Sequence, residues 1–240
     1  QGVVASVLGG ATLLVDPHID GPRTLDLIEK HRATVVYGTP TLFETLLLEQ
    51  ARRPRDVDSL RLALASGAPV PAGLPERIES ALGADVVLAY SVTETGALVT
   101  VTPPDAEPGV RHLTVGVPLD GVEVRIVADA SVPEPEDAGD LPTESVGEIA
   151  VRGTGVMKGY YRQPRLTSRA LDPDGFFLTG DLGMLDESGH LHLVGRHREV
   201  IIRAGHNVHP REVENRLSMH PAVQEVAVVG LPDAILGESI

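Results

Sequence analysis

Residues 60–90 read LRLALASGAPVPAGLPERIESALGADVVLAY and switch from a strand pattern to a helix pattern and back. The aliphatic runs at 60–67 and 85–90 are typical of buried strands. Between them, residues 71–83 carry apolar side chains at helical spacing and finish at Gly83, the residue type that most often follows a helix. Two strands joined through one helix by short connections predict a parallel pair of strands with a crossover helix.

The same alternation extends towards the N terminus and changes character after about residue 115. Before that point we predict further strands at 11–16 and 34–38, and helices at 22–33 and 41–52. After it, short alternating runs separated by Gly, Pro and Asp turns predict an antiparallel β layer or a distorted barrel. Towards the C terminus we predict a helix that begins at Pro210 and a strand at 225–233.

The predicted fold class is therefore α/β: a parallel sheet with crossover helices, then the antiparallel layer, then the start of a small α+β C-terminal domain. The corresponding domains are residues 1–115, 116–195 and 196–240, and the last begins with a hinge. The acidic, proline-rich segment 128–145 is predicted to be an exposed loop.

Composition limits the classes of function. A net charge of −14 argues against a nucleic-acid partner, because phosphate backbones are bound by basic surfaces. The absence of cysteine excludes a disulfide framework and cysteine-type zinc sites. No apolar run is long enough for a membrane span, and no basic-then-apolar signal opens the chain, so we expect a cytoplasmic protein.

Two polar strings follow predicted strands: SGAP at 66–69 and YSVTETG at 90–96. Ligands of open parallel sheets bind beyond the carboxyl ends of the strands. This position favours a ligand site over a plain polar turn at both strings.

Five strings occur in an order that resembles the AMP-forming adenylating superfamily: SGAP, YSVTETG, GEIAVRGTGVMKGYYRQP (147–164), TGD (179–181) and GRHREVIIRAGHNVHPREVE (195–214). This superfamily includes acyl-CoA synthetases, the adenylation domains of nonribosomal peptide synthetases, and luciferases. The resemblance implies that ATP and Mg²⁺ convert a carboxylic acid into an acyl-adenylate, whose acyl group then passes to the thiol of CoA.

The resemblance also implies roles for individual residues around the nucleotide. Tyr90 would lie against adenine, Thr93 would bind the α-phosphate or the substrate carboxylate, and Glu94 would hold Mg²⁺, with Thr93 and Glu94 as the catalytic pair. Ser91 stands where glycine is usual. The remaining nucleotide-binding residues implied are Gly67, Ala68 and Pro69 beside adenine, and Asp181 and Arg196 at ribose or phosphate.

Further implied roles concern the acceptor and the acid. Glu199 matches the hinge position, and CoA pantetheine would meet Ala204, Gly205 and His206. The acyl pocket would draw on Tyr37, Gly38, Gly96 and Ala97. We expect Lys158 to be solvated, and we do not expect a metal site at His190 and His192, because His-Glu-x-x-His spacing and cysteine are both lacking.

Two elements of the superfamily are not found in these residues: a Ser/Thr/Gly-rich loop ending in Pro-Lys-Gly, and a lysine near the C terminus. We therefore expect a fragment of an acyl-CoA synthetase that adenylates weakly or not at all by itself. Two alternatives stay open, namely an adenylation domain that loads the phosphopantetheine of a carrier protein, and a non-catalytic nucleotide-binding or interaction module.

Overall fold

The computed structural model describes residues 2–16, 20–128, 140–220, 222–223, 226–233 and 235–240, and the chain divides into two compact units, residues 1–89 and 90–240. The elements that begin in the first unit are α1 (Gly2–Leu8), α2 (Gly21–His31), β1 (Val35–Gly38), α3 (Pro40–Arg52), β2 (Leu62–Ala65), α4 (Leu74–Leu82) and β3 (Asp85–Val92). The boundary between the units falls within β3.

The first unit is a parallel sheet with crossover helices, as the alternation predicts. β1 pairs in parallel with β2, and β2 with the first part of β3. Helix α2 begins where the Asp20 side chain accepts a hydrogen bond from the amide of Arg23, and α4 ends at Gly83, whose φ of +68° suits glycine. Fully buried side chains from the helices, including Leu25, Phe43 and Ile78, form its core.

The second unit is rich in antiparallel strands. Its elements after β3 are β4 (Ala97–Val101), α5 (Pro108–Leu113), β5 (Val117–Pro118), β6 (Val122–Val127), β7 (Gly147–Gly153), α6 (Pro164–Ala170), β8 (Phe177–Leu185), β9 (Leu191–Arg196), β10 (Ile201–Arg203), β11 (His206–Val208), α7 (Pro210–Ser218), β12 (Leu231–Asp233) and β13 (Gly237–Ser239).

Strands β6, β7, β8 and β9 form one antiparallel sheet in that order, which confirms the predicted β layer. Each strand contributes a buried apolar side chain: Ile126, Ile149, Phe177 and Leu191. A smaller sheet has the order β11-β10-β13-β12. Helix α7 follows β11 in the chain and begins at Pro210 as predicted. One of the Asp and Gly turns expected between these strands lies at 186–189, where Ser188 N donates to Asp186 Oδ1 at 2.9 Å.

Two strand predictions are wrong in whole or in part. Residues 11–16 form no strand, because no strand of the described residues pairs with them, and Leu13 and Val15 remain exposed. Of the predicted strand at 225–233, only Leu231–Asp233 pairs, and Glu225 lies outside the described residues. The amide of Val228 donates instead to Glu214 Oε1 at 2.9 Å, so a side chain from α7 takes the place of a neighbouring strand.

The predicted loop at 128–145 falls mostly outside the described residues, since 129–139 are not among them. In the parts of the chain that are described, no helix is long and apolar enough to cross a bilayer.

Candidate functional site

In the first unit, the SGAP string at the carboxyl end of β2 lies beside Gly38, a predicted acyl-pocket residue at the carboxyl end of β1. Ser66 N donates to Gly38 O at 3.1 Å, so the SGAP string starts beside the end of β1. Gly67 has a φ of +85°, and a side chain there would face the methyl group of Thr39. Because Gly67, Ala68 and Pro69 are exposed at this edge, a flat ligand could approach the backbone closely.

The YSVTETG string spans the end of β3 and a tight turn. β3 continues to Val92, so Tyr90 and Ser91 are strand residues, and Thr93–Thr95 form a single 3-10 turn. The hydroxyl of buried Thr95 donates to Val92 O at 2.8 Å, and Gly96 follows with a φ of +73°. The turn leaves the Thr93 side chain exposed and the Glu94 side chain half-buried.

A loop after β7 lies against this turn. Met157 N donates to Glu94 O at 2.7 Å. Gly155 packs on the backbone of Thr95 so closely that a Cβ atom would collide with the Thr95 carbonyl. The hydroxyl of Tyr160 donates to Glu94 Oε1 at 2.9 Å, and burial, together with the bond to this carboxylate and its charge, raises the pKa of Tyr160.

Tyr160 is a contact that the sequence reasoning missed. Residues 147–164 carried the resemblance as a string, but neither periodicity nor spacing indicates that its first tyrosine, rather than Tyr161, reaches the Glu94 carboxylate. Tyr161 is 83% exposed.

The TGD string lies on a bulge in β8. Ala150 pairs with Leu178 and Glu148 with Leu182, so the residues between interrupt the ladder. Their amides are bonded by side chains instead: Gly180 N donates to Glu148 Oε1 at 2.9 Å, and Asp181 N to Thr179 Oγ1 at 3.1 Å. Gly180 has a φ of +72°, which favours glycine. Bulges of this kind redirect side chains next to functional sites, and here the redirected side chain is Asp181.

Three predicted nucleotide-binding residues from three separate strings meet at the Asp181 carboxylate. The hydroxyl of Tyr90 donates to Oδ2 at 2.6 Å, and Nε of Arg196, at the end of β9, lies 3.1 Å from Oδ1. Burial, followed by the charge of Asp181 and the bond to it, raises the pKa of Tyr90 well above its usual range, so the phenol stays a donor. The Arg196 side chain is 56% exposed, so the rest of its guanidinium can reach a ligand.

Arg211, in the first turn of α7, is a second cation near Asp181 that sequence reasoning did not identify. Burial lowers its pKa, and the charges of Glu214 and Asp181 oppose that effect. Nothing in the sequence distinguishes it from a surface arginine on the polar face of a helix.

The predicted hinge and CoA-binding residues lie in and after a 3-10 turn, His197–Glu199. Glu199 is exposed there. Ala204 and Gly205 are the two-residue connection between β10 and β11, with φ values of +51° and +80°. Both positive values are typical of a type I′ hairpin turn, and His206 follows it, exposed.

His190 and His192 both contact the side chain of Asp186, their ring nitrogens lying 3.2 and 3.1 Å from Oδ2. Although burial opposes the change, hydrogen bonds from His190 and His192 lower the pKa of Asp186. Among the described residues, no group of three or more His, Asp or Glu side chains could hold a metal ion. Lys158 is exposed.

Glu94 nevertheless suits a magnesium ion that is shared with a ligand. Mg²⁺ typically takes one or two carboxylates together with substrate phosphates rather than a cage of protein ligands. Within the described part of the chain, Glu94 Oε1 accepts from Tyr160 and Oε2 has no hydrogen-bond partner. One oxygen is therefore available to an ion.

Comparisons with known proteins identify the family of the chain. Over 238 residues, the chain is 37% identical to a CoA ligase of Mycobacterium tuberculosis that is named for a methyl-dioxo-octahydroindenyl propanoyl group; the alignment covers 99% of the chain and 44% of the relative. It is 36% identical to a feruloyl-CoA synthase of an Amycolatopsis species, covering 97% of the chain and 45% of the relative. The chain thus spans less than half the length of these curated relatives.

Among solved structures, the o-succinylbenzoate CoA synthetase of Bacillus subtilis in complex with its acyl-adenylate intermediate superposes with a TM-score of 0.83 at 31% identity, covering 98% of the chain and 46% of that protein. The family model for AMP-binding enzymes matches residues 1–161, and the model for their C-terminal domain matches residues 212–240. The motifs, the fold and these matches together show that the chain belongs to the AMP-binding enzyme family.

Proposed function

We propose that this chain is part of an AMP-forming acyl-CoA synthetase, an ATP-dependent ligase that joins a carboxylic acid to the thiol of CoA through an acyl-adenylate. The CoA ligases and synthases among its relatives support this reaction class and favour CoA over a carrier protein as the acceptor.

One observation carries the proposal: Tyr90, Asp181 and Arg196, predicted separately as nucleotide-binding residues, meet at one carboxylate within the second unit. A carboxylate has about four lone-pair positions, so Asp181 can accept from its two protein partners and from two vicinal ribose hydroxyls. Carboxylates recognise ribose in the same way in dinucleotide-binding folds.

The groups around Asp181 suit a nucleotide monophosphate. Arg196 uses Nε for Asp181, which leaves the outer edge of a half-exposed guanidinium for a phosphate oxygen. The predicted place of Tyr90 beside the base belongs to the same proposal, and because its hydroxyl already donates to Asp181 it would contact a base without donating to it. We assign Ser91 to the same nucleotide, and the predicted nucleotide role of Gly67, Ala68 and Pro69 in the first unit stays a separate proposal.

Glu94 would hold Mg²⁺ through Oε2, and the exposed Thr93 hydroxyl would donate to the α-phosphate or the substrate carboxylate. When bound, the ion supplies charge neutralisation to the phosphates. The contribution of this chain is to fix the turn, through the bond from Met157 N to Glu94 O.

The other predicted assignments stay proposals. They are the hinge at Glu199, CoA contacts at Ala204, Gly205 and His206, an acyl pocket with Tyr37, Gly38, Gly96 and Ala97, the division at residues 115 and 196, a link to fatty acid metabolism, the absence of nucleic-acid partners, and a cytoplasmic location. The small residues among the acyl-pocket positions are compatible with a medium or larger acid.

Calorimetric titration of AMP into the 240-residue chain tests the nucleotide site. We expect binding that Asp181→Asn weakens about 10- to 100-fold, because hydrogen bonds to a charged group contribute about 1.5–3 kcal/mol. Asp174→Asn is the matched control, since Asp174 is an exposed turn residue in the same unit. If AMP does not bind, or if both variants bind it as the unchanged chain does, the assignment is wrong.

A second assay tests the reaction class without requiring adenylation. The chain is incubated with a preformed acyl-adenylate and CoA, and thioester is measured by mass spectrometry. We expect more thioester than in the absence of protein, and a loss of the excess in Asp181→Asn. ATP–pyrophosphate exchange with the same acid should be weak, and robust exchange would contradict the expectation that further elements are needed.

A further inference from the structure

Among the described residues, Tyr160 is the only hydrogen-bond partner of the Glu94 carboxylate, and the backbone of Tyr160 is itself bonded to residues of α6 and its start. The Tyr160 amide donates to Thr167 Oγ1 at 3.0 Å, and the same hydroxyl donates to Gln163 O at 3.0 Å. Gln163 N in turn donates to Tyr160 O at 3.1 Å. The backbone of Tyr160 is thus joined to the start of α6 on both its donor and its acceptor side.

Gly159 allows this close approach. Its φ is +140°, and a Cβ atom there would lie 2.6 Å from Cγ2 of Thr167. The residue before Tyr160 therefore has to be glycine if the loop is to dock on α6 in this way. The tyrosine ring leaves the loop from a fixed point and ends at Glu94 Oε1.

The bond from Tyr160 restricts the orientation of the Glu94 carboxylate. A half-buried glutamate side chain otherwise samples several rotamers, and ordering it for an ion costs free energy at the moment of binding. A single donor on Oε1 restricts the side-chain torsions while Oε2, which has no partner in the described part of the chain, stays available.

We propose that Tyr160 is a positioning residue, which orients the Glu94 carboxylate for a divalent cation through the hydrogen bond from its hydroxyl to Oε1. This inference rests on the proposed function, because it takes Glu94 to be the magnesium ligand. The inference adds a specific hydrogen-bond donor to that ligand. Removing a residue that hydrogen-bonds to a metal ligand commonly lowers the metal affinity about 10- to 100-fold.

The test measures the coupling between Mg²⁺ and nucleotide binding, not the activity. A non-hydrolysable ATP analogue is titrated calorimetrically into the 240-residue chain, first in EDTA and then at a series of free Mg²⁺ concentrations. The dependence of the nucleotide affinity on the free Mg²⁺ concentration gives the apparent affinity for Mg²⁺. We expect Tyr160→Phe to lower that Mg²⁺ affinity about 10-fold and to leave the nucleotide affinity in EDTA within about twofold.

Tyr161→Phe is the matched control, since it removes a hydroxyl from the neighbouring, exposed ring. Glu94→Gln should abolish most of the Mg²⁺ effect, and adding Tyr160→Phe to it should cause no further loss, because Tyr160 acts through Glu94. If Tyr160→Phe binds Mg²⁺ as tightly as the unchanged chain, or more tightly, the positioning role is wrong while the metal role of Glu94 stands. If Glu94→Gln leaves the Mg²⁺ effect intact, both are wrong.

A spectroscopic readout on the unchanged fold covers the case in which Tyr160→Phe does not fold. The chain has four tyrosines, so fluorotyrosine labelling gives four ¹⁹F resonances, and Phe variants of the other three identify that of Tyr160. We expect this resonance to shift when Mg²⁺ is added to the chain saturated with nucleotide, and that of Tyr161 to stay. A stationary Tyr160 resonance would overturn the proposal.

Discussion

Replacing Tyr90 by phenylalanine removes one hydroxyl from the centre of the candidate site and keeps the ring that fills the space. The hydroxyl donates to Asp181 Oδ2 at 2.6 Å, and Tyr90 is only 6% exposed. A hydrogen bond to a charged group contributes about 1.5–3 kcal/mol to stability, so at pH 8 the variant should be less stable than the unchanged chain by about that amount.

This difference should depend on pH, in a direction that the structure fixes. The pKa of Tyr90 is raised in the folded chain, whereas an unfolded tyrosine titrates near pH ~10. The stabilisation is therefore fully present below pH ~10. It falls as the pH rises further, because the unfolded phenol ionises while the folded phenol does not. By pH ~11 the gap between the two proteins should have shrunk by about 1.4 kcal/mol from its value at pH 8.

Urea unfolding followed by far-UV circular dichroism at several pH values between 8 and 11 measures the gap, since the chain has no tryptophan. Tyr161→Phe, which alters an exposed hydroxyl, should match the unchanged chain throughout. Equal midpoints for Tyr90→Phe and the unchanged chain at pH 8 would refute the hydrogen bond to Asp181. A gap of constant size up to pH 11 would refute the raised pKa.

Two further substitutions test the turns that surround the site. Gly155→Ala should lower the free energy of unfolding by about 1–3 kcal/mol and weaken Mg²⁺-dependent nucleotide binding, because a Cβ atom would push the loop away from the Thr95–Gly96 backbone. Gly109→Ala, in α5 with open space around it, is the control and should not lower stability. Ala204→Asn should raise stability by about 0.5–1 kcal/mol, because Ala204 has a φ of +51° in a hairpin turn for which Asn-Gly is the preferred pair; a lower urea midpoint would contradict this account.

The parts of the fold that sequence predicts well are those whose pattern is local. Residues 60–90 contain their own strand, helix, glycine end and second strand, and the structure follows them closely as β2, α4 and β3. Residues 11–16 have an equally good strand pattern but no neighbour among the described strands to pair with, and strand formation needs one. Residues 226–230 form no strand for a related reason: Glu214 Oε1 accepts the hydrogen bond from the Val228 amide that a neighbouring strand would otherwise have accepted.

In the candidate site, the sequence predicts which residue types are present but not how the fold brings them together. Each string predicts a residue type that suits a nucleotide, but no string contains the bulge that turns Asp181 towards Tyr90. That bulge depends on Glu148 and Thr179 bonding the amides that the ladder leaves unpaired. The sequence does not predict the places of Tyr160 and Arg211 either, because they depend on tertiary contacts. Tyr160 is bonded to Thr167 of α6, and Arg211 belongs to α7 and lies near Asp181.

The polar residues Glu94 and Asp181 lie on irregular backbone that is fixed by backbone contacts as well as by side-chain bonds. Glu94 and Asp181 must keep oxygens available to a ligand, and the side-chain bonds that each carboxylate accepts leave acceptor positions unused. Each residue is also held through its peptide group: Glu94 by the amide of Met157, and Asp181 by the hydroxyl of Thr179. The glycines at 96, 155 and 180 permit those contacts, because each sits at a positive φ or at a distance that a side chain would not fit. Substitutions at these glycines should therefore weaken nucleotide binding although none of the three has a side chain of its own.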